Sequence, residues 1–104
     1  MRIQNDPIRL VVRIVKKRYP AARALIFFVA QQEVASGAYG HTLFPDDGSI
    51  PHVLISVELP VIRAVEILAH ELAHVVVGPK GGHGKEWNRV FRWIKKEYCA
   101  SVLG

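Results

Sequence analysis

Cysteine is nearly missing from this chain: Cys99 stands alone among 104 residues. A single thiol excludes an internal disulfide and fits a reducing compartment. With no second cysteine to join it, Cys99 reads as a helix-face residue and not as a metal ligand. Long apolar runs are also missing. The longest is broken by Arg63, Glu66 and His70, so no membrane span is expected. Met1-Arg2-Ile3-Gln4-Asn5-Asp6-Pro7 has neither a long apolar core nor a small-residue cleavage site. No signal peptide is therefore expected, and the cytoplasm is the expected location. Repeats, low-complexity tracts and linkers are absent, which leaves one domain over 1–104 with enough chain for a single core. Half of the residues are apolar and 22% are charged, the balance of an ordinary globular protein.

Acidic side chains are scarce, 9 against 14 Lys and Arg, for a formal charge of +5. Much of the excess lies in Arg9, Arg13, Lys16, Lys17 and Arg18, and again in Lys85, Arg89, Arg92, Lys95 and Lys96. Both groups fall on the polar faces of amphipathic helices, where a solvated surface accounts for them. They also predict weak nucleic-acid association through nonspecific electrostatics.

Asp6-Pro7 reads as an N-cap followed by proline at the first helical position. Ile8, Val11, Val12, Val15 and Tyr19 mark a helical face, ended by Pro20. Three strands are expected, at 24–30, 39–44 and 50–59, separated by turns at Ser36-Gly37 and Pro45-Asp46-Asp47-Gly48. Pro60 opens a helix over 61–77, and a last helix spans 85–102 with Trp87, Val90, Phe91, Ile94 and Tyr98 inward. The order is α-β-β-β-α-α. Short strands and tight turns predict an α+β domain, with an antiparallel three-stranded sheet and helices packed on one side.

The chemistry concentrates in His70-Glu71-Leu72-Ala73-His74. Residues four apart share a helix face, so two imidazoles can close on one ion while Glu71 projects beside them. The helix around them is apolar on most of its circumference: Val61, Ile62, Val65, Leu68, Ala69, Leu72, Ala73, Val75 and Val76. Such a helix is buried. Its narrow polar stripe of Arg63, Glu66, His70, Glu71 and His74 then needs partners, because unpaired buried polar groups are costly. A metal ion would supply them.

Catalytic zinc takes three protein ligands and keeps a position for water. Gly78-Pro79-Lys80-Gly81-Gly82 ends the helix and turns the chain back, delivering His83. His83 is the favoured third ligand. Glu86 competes with it, although a carboxylate in the first turn of the next helix also suits that helix electrostatically. Glu66, one turn before His70, is a candidate support for a ligand histidine or simply a surface carboxylate.

His70-Glu71-Leu72-Ala73-His74 followed by His83-Gly84-Lys85-Glu86-Trp87 resembles the SprT-like group of zinc metallopeptidases, which includes the Spartan proteases acting on DNA–protein crosslinks. The resemblance implies a minimal zincin core, one zinc ion on His70, His74 and His83, and Glu71 as general base. Two departures stand out. The segment between the second and third histidines is shorter than in many members, and their C-terminal cysteine zinc ribbon is missing. A role in crosslink repair does not carry over without it.

The expected activity is hydrolysis of peptide bonds, with a peptide or protein substrate lying along strand 50–59, the edge strand in the resemblance. Tyr39, His41, His52 and Lys80 are the candidates for stabilising the oxyanion, with no choice among them, and His41 and His52 read more readily as surface histidines. The alternative is a noncatalytic zinc-stabilised module that binds nucleic acid or a protein partner.

Overall fold

The computed structural model describes residues 6–35 and 37–103. Ser36, half of the first expected turn, and residues 1–5, read above for a leader, lie outside the described residues.

Helix α1 covers Pro7–Arg18. The Asp6 carboxylate caps it, accepting from the Ile8 and Arg9 amides at 3.0 and 3.3 Å, and Pro7 needs no partner there. Strands β1 (Leu25–Val29), β2 (Gly40–Leu43) and β3 (His52–Ser56) follow, with a 3-10 turn at Gln31–Glu33 between the first two. Helices α2 (Val61–Val77) and α3 (Lys85–Leu103) complete the chain. The domain is thus α+β, with the expected element order.

The sheet departs from expectation. It is mixed: β3 lies in the centre, antiparallel to β2 and parallel to β1. The physical reason lies in the two connections. The segment 44–51, with its turn at Pro45–Gly48, folds β3 back directly beside β2. The connection 30–39 is no hairpin. It carries β2 past the neighbouring position, and β3 later fills that gap. Residues 57–59 leave the strand early, so the third strand is shorter than the expected 50–59.

Strand alternation assigns the two sheet faces. Gly40, Thr42, Val53 and Ile55 face α2, and Val53 and Ile55 are completely buried. His41, His52, Leu25, Phe27 and Leu43 have the opposite parity, and the last three are exposed. Helix α2 is the hub: it packs on β2 and β3 with one side, and α1 and α3 pack against it. Leu68, Ala69, Leu72 and Ala73 of α2 join Val11 and Val15 of α1 and Trp87, Val90 and Ile94 of α3 in one core. Each large aliphatic side chain so buried contributes about 1.5–3 kcal/mol. The apolar circumference read for α2 does not reach its N-terminus, where Val61 and Ile62 are exposed. The hub position places His70, Glu71 and His74 between the sheet and α3, whereas Arg63 and Glu66, the rest of the expected polar stripe, are exposed.

Candidate metal centre

His70 and His74 sit one turn apart on α2, their ring centroids 5.1 Å apart. Gly78 ends the helix, its amide donating to the His74 carbonyl at 2.9 Å. Two further turns, Gly81 to Gly78 and Gly84 to Gly81, fold the loop back. Gly81 has to be glycine, since a Cβ there would lie 2.5 Å from Val77 Cγ2. This close return delivers His83. Its Nε2 lies 3.0 Å from His74 Nε2 and 3.2 Å from His70 Nε2.

Three ring nitrogens therefore converge, all within 4.8 Å of one another. Hydrogen bonding among themselves cannot satisfy them. A ring nitrogen carries either one proton or one lone pair, so His83 Nε2 cannot donate to one neighbour while accepting from the other. A cation among them satisfies all three lone pairs at once. An ion about 2.0–2.1 Å from each nitrogen, with tetrahedral angles, requires spacings of about 3.3 Å. Two of the three spacings, 3.0 and 3.2 Å, come close and the third is within 4.8 Å, a grouping that could hold a metal ion. Glu86 lies exposed in the first turn of α3, outside this cluster.

Trp87 is the platform under the cluster. Its ring is buried, with centroids 4.7, 5.4 and 4.6 Å from those of His70, His74 and His83. Its Nε1 donates to the His70 carbonyl at 3.2 Å, and Phe91 stacks behind it. Burial lowers the pKa of His70 below the usual 6.5, and the neighbouring His83 lowers it further, against a smaller opposing pull from Glu66. Burial likewise lowers His74, partly offset by Glu71. Both effects favour neutral imidazole, the form that binds metal.

Glu71 is only 5% exposed. Thr42 Oγ1 donates to its Oε1 at 2.8 Å, and Oε2 lies 3.9 Å from His70 Nε2, on the side of the cluster. Glu66 belongs elsewhere. It pairs with Lys95 at 3.8 Å, both side chains half exposed, which is the surface-carboxylate alternative. The basic residues of α1 and α3 are exposed, with Arg18 4.8 Å over Trp93 and Lys95 5.0 Å over Phe91.

The four expected oxyanion stabilisers are not gathered here. His41 and His52 belong to the sheet face opposite α2. His41 Nδ1 accepts from the Ala35 amide at 3.0 Å, and His52 packs edge-on against Phe27. Tyr39 and Lys80 are exposed, and among the described residues no hydrogen bond joins them to the histidines. The expected substrate strand also changes. With both edges of β3 paired, 50–59 cannot accept an added strand; the edge beside α2 belongs to β2. Thr42 escaped the sequence reading altogether. A signal for it existed in Gly40, since a glycine inside a strand marks close backbone approach and Thr42 shares its face. No family model, curated protein or solved structure matches this chain.

Proposed function

We propose that this domain is a zinc-dependent peptidase. One observation carries the reading: three imidazole nitrogens converge beside a buried carboxylate, within a site whose third histidine is exposed to solvent. His70, His74 and His83 would hold the ion, and an N-only set of three is a zinc-type donor set that leaves one position free. Zinc, when bound, supplies Lewis acidity that polarises a carbonyl and brings the pKa of a water to about 7. The chain's own residues do the rest. Glu71 Oε2, the oxygen turned toward the histidines, takes the proton of the attacking water and passes it to the leaving amine. The Trp87 ring holds the imidazoles in place and keeps water from their inner side. The outer edge of β2, unpaired among the described residues, offers backbone groups to an extended peptide. The likeness of the two histidine segments to SprT-like metallopeptidases points the same way.

Glu71→Gln provides the test. The variant should keep one zinc per chain by metal analysis while losing cleavage of a fluorogenic peptide library. Cleavage that persists in the purified variant refutes Glu71 as the base.

A second reading draws on the burial of Glu71 against Thr42, which also suits a structural role in a noncatalytic zinc module. X-ray absorption distinguishes the two. An oxygen ligand from water supports the peptidase, and a centre saturated by protein groups supports the module.

A further inference from the structure

The Glu71 carboxylate has two oxygens in unlike settings. Oε1 lies 2.8 Å from Thr42 Oγ1, while Oε2 points toward the cluster at 3.9 Å from His70 Nε2. The Thr42 hydroxyl also lies 3.4 Å from the Glu71 carbonyl. It has one proton to give, and the shorter contact to the charged oxygen takes it. Glu71 is almost fully buried, so water does not compete for that bond. The approach is enforced from the same strand. Gly40 shares the Thr42 face, and a Cβ at Gly40 would lie 2.5 Å from Ile67 Cγ2 and 3.6 Å from Glu71 Cγ. Only a residue without a side chain lets β2 come this near α2.

We propose that Thr42 is the positioning residue of Glu71: it anchors one carboxylate oxygen so that the other stays aimed at the space beside the three histidines. The inference rests on the reading of Glu71 as general base. An unanchored carboxylate on a rotatable side chain would divide its time among rotamers. Thr42 confines it to the one that serves proton transfer, and catalysis depends steeply on such placement. The Thr42 hydroxyl bonds Glu71 and, among the described residues, none of the three histidines, and a peptide along β2 would meet the backbone of Thr42 and not its hydroxyl. Its loss should therefore lower turnover without weakening substrate or metal binding.

The experiment uses the full chain with Thr42→Val, which keeps the shape and removes the donor, and Thr42→Ser, which keeps the donor. Three results are expected. Zinc affinity, measured by chelator competition, stays within about threefold of the parent for both variants. On a cleavable peptide, Thr42→Val lowers kcat by about tenfold to a hundredfold at unchanged KM, and Thr42→Ser recovers most of it. In urea unfolding of the metal-free chain, Thr42→Val shifts the folding equilibrium by about tenfold or more, as expected for a lost hydrogen bond to a charged group. In the Glu71→Ala background the same substitution shifts it by less than about threefold.

Equal shifts in both backgrounds overturn the proposal, whatever the activity. So does a loss of zinc from Thr42→Val, or a Thr42→Ser variant as impaired as Thr42→Val. If the parent chain cleaves no peptide while the unfolding cycle shows the coupling, the peptidase reading falls and the anchoring of Glu71 by Thr42 stands.

Discussion

Replacing Gly40 by alanine adds one methyl group at the tightest point between strand β2 and helix α2. The new Cβ would sit 2.5 Å from Ile67 Cγ2, where ordinary contact begins at 3.4 Å, and 3.2 Å from the Leu54 carbonyl oxygen on another side. About 1 Å of separation has to come from somewhere. Ile67 cannot easily swing away, because a β-branched side chain in a helix has one strongly preferred χ1. The strand must yield instead. Overpacking of this kind costs about 1–3 kcal/mol, and in a domain of this size each kcal/mol lowers Tm by roughly 4–8 °C. A 1 Å displacement would also stretch the 2.8 Å bond from Thr42 to Glu71 beyond hydrogen-bonding range. Urea unfolding and thermal melts of the metal-free Gly40→Ala chain measure the cost. Ile67→Leu, which moves the branch away from Cβ, should recover at least half of it in the double variant. An alanine chain within about 0.5 kcal/mol of the parent would show that β2 and α2 are not held this closely, and the account of Glu71 would lose its structural basis.

His83→Ala should lower zinc affinity more than about a hundredfold, because loss of a ligand exceeds the 10–100-fold cost typical of losing a ligand's supporting partner. Stoichiometric zinc surviving chelator competition in that variant would exclude the three-histidine centre. Trp87→Phe keeps the ring under the imidazoles but removes the donor to the His70 carbonyl; a loss of about 0.5–1.5 kcal/mol in urea unfolding is expected, with the metal retained. Acid should weaken the metal-free domain in a defined direction. His70 and His74 have pKa values lowered from 6.5 in the folded state, so below that pH the unfolded chain binds more protons. The stability they contribute is complete above 6.5 and is lost as pH falls through the lowered folded values. Urea titrations from pH 7.5 to 5 should show a decline that shrinks when both histidines are replaced by asparagine.

Much of the site was legible because it is local. The period of a helix puts His70 and His74 on one face whatever the rest of the fold does, and the glycine-rich loop after Gly78 can return His83 only to the helix it has just left. The Asp6-Pro7 cap and the inward faces of α1 and α3 follow from the same short-range rules, and the structure places them as read. The sheet face taken by His41 and His52, and the place of the strand 50–59 in the sheet, were not legible for a reason of range. Which side of a strand faces the helix, and which strand lies in the centre, depends on pairing between segments far apart in the chain.

The amino-acid order alone therefore determined the one-turn pairing of His70 and His74, the returning histidine, and the α+β sequence of elements, since each depends on neighbours within a turn or one loop. Tertiary structure alone decided that β3 occupies the middle of a mixed sheet and that β2 is the outer strand beside α2. It also decided that Thr42, 29 positions away, meets Glu71. Contacts of that kind arise only when separate segments are packed against one another, and no local periodicity encodes them.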